Sequence, residues 1–253
     1  MKVSLLSTTP DALTLLLGTK NTRLGFDADP ATWTDAQRAE HLAYMRDTIK
    51  SSWEFVDYVF KIEGVTRAFT HQLVRTRAGS YAQESQRTVD VRESPVLKPD
   101  NLAPDLSLLW DAAIKAAMET YSALADCGVP VQDARGILPT NMTTSIVAKF
   151  SLRTLHEMAR VRLCVRTQGE YQEVFREMRA RVAEVHPWAV DAGFIEVECV
   201  ATGTCAFPRY GKTECKFYDP RMDLDALKTE QRAKFWAGEK QVAVPVAKGG
   251  RTM

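Results

Sequence analysis

The stretch Thr143-Thr-Ser-Ile-Val-Ala-Lys-Phe-Ser-Leu-Arg-Thr-Leu-His-Glu-Met-Ala-Arg-Val-Arg162 changes from a strand pattern to a helix pattern at Ser151. Residues 143–150 are rich in β-branched and apolar side chains, which favours a strand. Ser151 is a good N-cap residue, so we predict a helix that begins there and runs to about residue 166. The sequence therefore predicts a strand-to-helix junction at Ser151.

Apolar side chains form one stripe along this predicted helix, at a spacing of about 100° per residue. The stripe consists of Leu152, Leu155, Met158, Ala159 and Leu163. Arg162 falls inside the stripe, and it needs a partner because an unpaired buried charge is very costly. That partner is either a carboxylate of the protein or an anionic ligand. His156 lies on an adjoining face, and we interpret it as a hydrogen-bonded polar residue rather than a general base.

Regular patterns also cover much of the rest of the chain. They predict strands at residues 2–7 and 58–62 and helices at residues 34–51, 66–77, 105–125 and 169–185. Thr34 and Asp105 are the expected N-caps, and Gly64 is expected to end the second strand. Residues 78–92 suit either loop or strand. Because helices and strands interleave without regular βαβ units, the predicted fold class is α+β.

The chain has 253 residues, of which 45% are apolar, and this is enough for one buried core. We predict a single domain over residues 1–220. A C-terminal extension at residues 221–253 is expected to hold a short helix and a frayed tail. No Gly-x-Gly-x-x-Gly follows the first strand, so a Rossmann dinucleotide site has no support.

Composition and charge argue against several classes of partner. The formal net charge is +1, so the chain lacks the basic field of a nucleic-acid binder. No run approaches the roughly 18 apolar residues of a membrane span. Asp11 interrupts the apolar N-terminal run and no cleavage site follows, which favours a strand and a helix over a signal peptide. Five cysteines at irregular spacing favour free thiols in the reducing cytoplasm, with no metal site.

The first candidate site is the polar stretch Gln72-Leu-Val-Arg75-Thr-Arg77-Ala-Gly-Ser-Tyr-Ala-Gln83-Glu-Ser85-Gln-Arg87. Guanidinium groups present paired donors to phosphate and stay charged when partly buried. Arg75 and Arg77 cannot share one helix face, but near a helix end they can bracket an anion. The stretch therefore suits a phosphorylated small molecule. A solvated polar loop is an equal alternative.

A second candidate is the segment Ala134-Arg135-Gly136-Ile137-Leu138-Pro139. An arginine beside a glycine and before a proline lies in a constrained turn, which can hold its side chain still for binding. An ordinary loop arginine is the alternative.

Together these residues resemble the signature of the flavin-dependent thymidylate synthases. That signature is Arg-His-Arg, seven residues and then Ser, with Gln three residues before the first Arg and Ser-x-Arg at the end. The matching residues here are Gln72, Arg75, Arg77, Ser85 and Arg87. Residues 64–67 match the family's segment before this motif, residues 134–139 match its Ala-Arg-x-x-Leu-Pro, and residues 152–162 match its Asn-Leu-Arg helix. The resemblance covers roughly residues 50–190.

The chain departs from the family pattern at five positions. Thr76 stands in place of the central His, Gln83 in place of a Glu, and Ser151 in place of an Asn. Ile49 and Phe55 replace the two histidines of the family's upstream His-Glu-Ser-x-x-Glu-His stretch. The arginines of the family signature are all present, while residues that the family places at the flavin site are replaced.

The resemblance implies FAD-dependent reductive methylation of dUMP to dTMP, with methylenetetrahydrofolate as carbon donor and NADPH as reductant. It implies a mixed or antiparallel sheet flanked by long helices, in a homotetramer whose active sites combine residues of several subunits. The partners are then dUMP, folate and NADPH. Two alternatives stay open: a pyrimidine nucleotide hydroxymethyltransferase, and a nucleotide-binding module that has lost flavin.

The resemblance also assigns the site residues by position. The residues implied to contact dUMP are Gln72, Arg75, Gln83, Ser85, Arg87, Arg135 and Arg162. The residues implied to contact FAD are Ser51, Arg75, Thr76, Arg77, Gln83, Arg153 and Glu157. Arg162 is the implied catalytic residue, because a guanidinium beside the uracil carbonyls favours electron density there.

Overall fold

The computed structural model describes residues 1–25, 27–48, 50–219 and 221. The strands are β1 (Lys2–Thr8), β2 (Asp57–Thr66), β3 (Ser80–Gln83) and β4 (Thr143–Ser151). The helices are α1 (Ala12–Leu24), α2 (Asp35–Asp47), α3 (Arg67–Leu73), α4 (Pro104–Asp126), α5 (Val131–Ala134), α6 (Leu152–Arg162), α7 (Gly169–Val185), α8 (Pro187–Asp191), α9 (Glu198–Thr202) and α10 (Pro208–Glu214). Short 3₁₀ segments lie at Pro30–Thr32, Lys50–Phe55 and Arg135–Ile137. Ile49 and the short helix and frayed tail predicted for the C-terminal extension lie outside the described residues.

Contacts between residues divide the chain into two compact units, and the first contains the sheet. This first unit comprises Met1–Thr8 and Asp57–Phe150, and its strands follow the order β1-β2-β4-β3. β1 runs antiparallel to β2, and β3 runs antiparallel to β4. Alternate side chains of β2 are buried, among them Tyr58, Phe60 and Ile62, as expected for a strand with one face on a core. The predicted α+β class is confirmed, with antiparallel pairing at both edges of the sheet.

Gly64 does not end β2, so that prediction is wrong. Its φ of +66° lies in the left-handed region, where glycine is free of strain, and the strand continues through it to Thr66. A Cβ atom at Gly64 would lie 3.4 Å from the backbone nitrogen of Met1. The positive φ is therefore the feature that favours glycine here, inside a continuous strand.

The helix predicted at residues 66–77 is shorter than expected. Thr66 is its N-cap, because its side chain accepts the amide of Phe69, and α3 ends at Leu73. Beyond Leu73 the amides of Arg75 and Thr76 donate to carbonyl oxygens only three residues earlier, and so the chain leaves the α-helix in tight turns. Arg75 and Arg77 consequently lie in a loop.

The N-cap of α4 also differs from the prediction. Ala103 occupies that position, Pro104 opens the helix, and Asp105 lies in the first turn. Proline suits this place because its fixed φ is helical and its missing N–H costs nothing there. Along α4 Tyr121 is buried, and it packs in a core cluster with Val91 and Met142.

The second unit comprises Thr9–Val56 and Ser151–Met253. Its α2 begins at the predicted N-cap, where Thr34 and Gln37 form a capping box. α2 ends at Asp47 rather than residue 51, because Thr48 leaves the helical conformation and its hydroxyl donates to the carbonyl of Tyr44. α7 has the predicted bounds. The predicted single domain over residues 1–220 stays a prediction.

Ser151 is the N-cap of α6, as predicted, and its side chain accepts the amide of Thr154 at 3.2 Å. All five residues of the predicted apolar stripe are buried. α6 ends at Arg162 rather than residue 166, because the Cys164 amide donates to Val161 and starts a turn. No helix among the described residues is both long and apolar enough to cross a membrane.

Candidate active site

The loop after α3 presents two unpaired arginines to solvent. Arg75 and Arg77 are exposed, and within the described part of the chain neither guanidinium has a hydrogen-bond or ion-pair partner. The loop follows the C-terminal end of α3, where the helix dipole is negative and does not attract anions. Any anion bound here is therefore held by the guanidinium groups themselves.

Tyr81 fixes the path of this loop. Its hydroxyl lies 2.6 Å from the carbonyl oxygen of Thr76 and 3.1 Å from that of Leu73. The amide of Gly79 also donates to the Thr76 carbonyl, at 3.0 Å. A Cβ atom at Gly79 would lie 2.5 Å from both the Tyr81 hydroxyl and the ring of Phe150, so only glycine fits there. The sequence did not predict a role for Tyr81 or Gly79, because the contacts of both residues form only when the sheet has folded.

Arg87 and Arg135 share one partner, Gln132. The Nε atom of Arg135 donates to the backbone oxygen of Gln132 at 3.0 Å, and Nη2 of Arg87 lies 3.5 Å from its Oε1. The Arg87 amide donates to the Ser85 hydroxyl oxygen at 3.1 Å. These contacts bring three predicted dUMP-binding residues to one place. Gln132 was not among the predicted site residues, because its only signal in the sequence is its position three residues before Arg135.

Arg67 adds a third guanidinium beside this group. Its Nη2 donates to the backbone oxygen of Glu84 at 2.8 Å, while its Nε is buried with no hydrogen-bond partner among the described residues. Burial lowers the pKa of Arg67, the charge of Arg135 lowers it further, and Glu84 acts in the opposite direction. A bound anion would relieve this concentration of positive charge.

The two glutamines near the loop are half-buried. Nε2 of Gln83 donates to the hydroxyl oxygen of Thr70 at 3.0 Å, which ties β3 to α3. Gln72 lies on α3 itself, and Thr76 is also half-buried. These three uncharged site residues therefore lie in the arginine loop or on the elements next to it.

Arg162 is half-buried at the end of α6. Its guanidinium carbon lies 4.4 Å from the ring centroid of Tyr171, and it forms no ion pair or hydrogen bond with any described residue. Of the two partners expected from the sequence, no carboxylate fills that role in the described chain. A cation over an aromatic face keeps its N–H donors at the edge of its plane available. Arg166 instead stacks on Phe207 and Tyr210.

His156 is confirmed as a hydrogen-bonded polar residue. Its Nδ1 lies 2.7 Å from the backbone oxygen of Phe194, and its Nε2 lies 2.9 Å from Nζ of Lys50. Because the carbonyl can only accept, Nδ1 carries the proton and Nε2 accepts from the ammonium group. Burial lowers the pKa of His156, and the charge of Lys50 acts in the same direction.

Ser151 and Arg153 share the carboxylate of Glu54. The Ser151 hydroxyl donates to Oε2 of Glu54 at 2.7 Å, and Nη1 of Arg153 lies 3.4 Å from Oε1. Ser151, which replaces the family's Asn, thus has a partner within its own unit. Glu54 directly precedes Phe55 in the chain, but its contact with α6 is not visible in the sequence.

Glu157 lies between two cations. Oε1 is 3.3 Å from Nζ of Lys50, and Oε2 is 3.4 Å from Nη1 of Arg160. Burial raises the pKa of Glu157, but Lys50 and Arg160 outweigh it, and the pKa lies below its ordinary value. The carboxylate is half exposed and stays charged at neutral pH. Ser51, in the neighbouring 3₁₀ segment, is exposed.

The predicted site residues form two groups, one in each compact unit. The first unit holds Gln72, Arg75, Thr76, Arg77, Gln83, Ser85, Arg87 and Arg135. The second unit holds Ser51, Arg153, Glu157 and Arg162. All five cysteines are free, and the described residues contain no group of three or more His, Cys, Asp or Glu able to hold a metal ion.

Known proteins match most of the chain. A family model described as thymidylate synthase complementing protein matches residues 5–188. The flavin-dependent thymidylate synthase of Sulfurisphaera tokodaii is 34% identical over 197 residues, which are 74% of this chain and 75% of that protein. The protein of the same name from Sulfolobus acidocaldarius is 32% identical over 197 residues, 74% of each.

A solved structure shares the fold. The UMP/dUMP methylase PolB from Streptomyces cacaoi, solved with 5-Br dUMP, has a TM-score of 0.65 to this chain. The similarity covers 78% of this chain and 96% of that one, at 20% sequence identity. At this identity the similarity establishes a common fold.

Proposed function

The chain belongs to the flavin-dependent thymidylate synthase family, and on that premise we propose that it converts dUMP to dTMP. Methylenetetrahydrofolate is the proposed carbon donor, FAD the cofactor and NADPH the reductant. One observation carries the proposal: within the described residues Arg75 and Arg77 have no partner, and Arg87 and Arg135 both contact the uncharged Gln132. Exposed guanidinium groups in this arrangement have N–H donors available for an anion.

A nucleotide phosphate fits this arrangement. Guanidinium groups bind phosphate through paired, charge-assisted hydrogen bonds, and Arg87 and Arg135 are neighbours that both contact Gln132. We assign the dUMP phosphate to these two arginines together with Ser85. Gln72, Arg75 and Gln83 are assigned to the remaining polar groups of the nucleotide.

Arg162 is assigned to the uracil ring. Bond formation at the ring carbon that receives the methyl group pushes electron density onto the ring carbonyls, where a cationic donor stabilises it. Arg162 is suited to this role because Tyr171 supports its planar face and no described carboxylate neutralises it. The proposed role of this guanidinium is therefore electrostatic stabilisation of the developing charge.

The residues at the implied flavin positions fit FAD by their chemistry. The diphosphate of FAD needs cationic donors, and Arg75 and Arg77 are exposed and have no partner in the part of the chain that the structure describes. Ser51 and Glu157 are exposed and offer a hydroxyl and a carboxylate for the polar groups of the cofactor. Bound FAD supplies the redox chemistry, while these side chains bind and orient it. Thr76, Gln83 and Arg153 complete the proposed set.

We also propose that the chain works as a homotetramer with shared active sites. α4 supports this assembly, because among its residues only Tyr121 is buried within the described chain. Near its start Leu106, Leu108 and Leu109 are exposed by 51%, 73% and 66%. Clustered exposed apolar side chains mark protein–protein contacts, and another copy of the chain is the partner expected for the family.

A cytoplasmic location is part of the same proposal. All five cysteines are free, and free thiols persist in the reducing cytoplasm. The co-substrates NADPH and folate would be met in the same compartment.

Purified full-length chain tests the function directly. We expect FAD to copurify, or to bind when supplied, with absorption in the near-UV and blue. With dUMP, methylenetetrahydrofolate and NADPH, mass spectrometry should detect dTMP, and a reaction without folate should give none. If the protein takes up no FAD, the flavin mechanism is refuted. A hydroxymethyl product alone would replace methylation by the hydroxymethyltransferase alternative.

A further inference from the structure

A segment beyond the residues matched by the family model packs against two helices of the second unit. We name residues 194–198 the C-terminal strap. The backbone oxygen of Phe194 accepts from His156 of α6, and that of Ile195 accepts from Arg179 of α7 at 2.9 Å. The side chain of Glu196 pairs with Arg179 at 2.9 Å. The strap is thus tied to both α6 and α7.

Glu198, the last residue of the strap, makes its strongest tie to α6. Both of its carboxylate oxygens bond Arg160, with Oε1 at 2.7 Å from Nη2 and Oε2 on Nε. Glu198 is only 6% exposed, and its pairing raises the pKa of Arg160. A buried carboxylate engaged by two N–H groups holds a guanidinium in one orientation.

Arg160 in turn reaches a residue assigned to FAD. With Nε and Nη2 engaged by Glu198, only Nη1 contacts Glu157, at 3.4 Å. The other oxygen of Glu157 is 3.3 Å from Lys50. Both contacts are longer than good charge-assisted hydrogen bonds, so the carboxylate retains the capacity to accept from a ligand. The orientation of Arg160 therefore controls how available Glu157 is.

We propose that Glu198 is a positioning residue for FAD binding, because it holds two of the guanidinium donors of Arg160, Nε and Nη2, away from Glu157. The inference rests on the proposed function, in which Glu157 contacts FAD. Without the charge of Glu198, the paired donors of Arg160 turn to Glu157 and occupy its carboxylate. The cofactor then loses a hydrogen-bond acceptor that it has in the native protein.

A matched control exists within the strap. Glu196→Gln weakens the tie to Arg179 on α7, a helix that carries none of the residues assigned to FAD. The Glu196 side chain is 15% exposed and that of Glu198 is 8% exposed, so the two substitutions remove carboxylates of similar burial. A purely structural role of the strap predicts similar effects from both.

The experiment titrates FAD into flavin-free full-length protein and follows flavin fluorescence, with melting temperatures measured in parallel. We expect Glu198→Gln to raise the FAD dissociation constant about tenfold, the scale of one charge-assisted hydrogen bond. Glu196→Gln should change it by less than about twofold, since no FAD-side residue loses a contact.

The double variant Arg160→Gln/Glu198→Gln separates positioning from folding. With Arg160 gone its donors no longer compete for Glu157, and the Lys50 contact is the same as in wild type, so FAD affinity should return to within about twofold of wild type. The inference is overturned if the double variant binds as weakly as Glu198→Gln, if Glu196→Gln is equally weak, or if Glu198→Gln binds like wild type. Failure of the wild-type protein to bind FAD overturns the proposed function as well, and so the two failures are distinguishable.

Discussion

Replacing Tyr81 by Phe tests whether one hydroxyl places the arginine loop. That hydroxyl lies 2.6 Å from the carbonyl oxygen of Thr76 and 3.1 Å from that of Leu73. A single proton serves both carbonyls, so the substitution removes the net worth of about one hydrogen bond, ~1 kcal/mol. The ring stays packed on Phe150, with 5.8 Å between centroids. If the whole loss falls on ligand binding, the dissociation constant of dUMP rises about fivefold.

Tyr121→Phe is the matched control, since it deletes the same atom elsewhere in the same unit. The Tyr121 hydroxyl is buried and has no hydrogen-bond partner among the described residues. Its removal should leave dUMP affinity unchanged and the melting temperature equal or higher, because an unsatisfied buried hydroxyl is costly. Calorimetric titration of dUMP and thermal melts of the three proteins provide the comparison. Wild-type affinity in Tyr81→Phe would refute the reasoning, and an equal loss in both variants would show that the effect is not specific to the loop.

Two further substitutions probe α6. Arg162→Ala should lower kcat by at least about 100-fold, the scale of one lost electrostatic stabiliser. It should lower the melting temperature by only about 2 °C, because the lost ring contact with Tyr171 is worth ~0.5–1 kcal/mol; a large fall would instead identify Arg162 as a structural residue. Burial lowers the pKa of His156 in the folded state. Below about pH 6.5 the unfolded state therefore binds more protons than the folded state, and the free energy of unfolding decreases as the pH is lowered. As the pH is lowered from about 7.5 to about 5.5, the melting temperature of His156→Gln should therefore decrease less than that of wild type. The same decrease in both proteins would exclude His156 as a cause of the pH dependence.

Elements defined by nearby residues were predictable from the sequence. Thr34 and Ser151 cap the predicted helices, and α7 has the predicted bounds. In each case the deciding interactions join residues a few positions apart, so the local pattern contains the information. The arginine positions of the candidate site were found for a related reason, since their spacing matches a family signature.

Features defined by distant contacts were not predictable in this way. Gly64 was expected to end β2, but its positive φ serves a continuous strand beside Met1. Gln132 joins Arg87 to Arg135 only after the first unit has folded. Glu198 meets Arg160 across 38 positions of sequence and lies beyond the residues matched by the family model. The periodicity of the local sequence cannot predict such contacts, because they depend on the path of the chain between the two residues.

Thr76 shows how a departure from the family signature is compatible with the same loop. The contacts that fix the loop at this position use the backbone oxygen of Thr76, which accepts from the Tyr81 hydroxyl and the Gly79 amide. A backbone carbonyl is present whatever the side chain, so exchanging His for Thr leaves these contacts in place. What the exchange removes is a group that titrates near neutral pH. The charge offered to ligands by this loop is then that of the exposed Arg75 and Arg77 guanidinium groups.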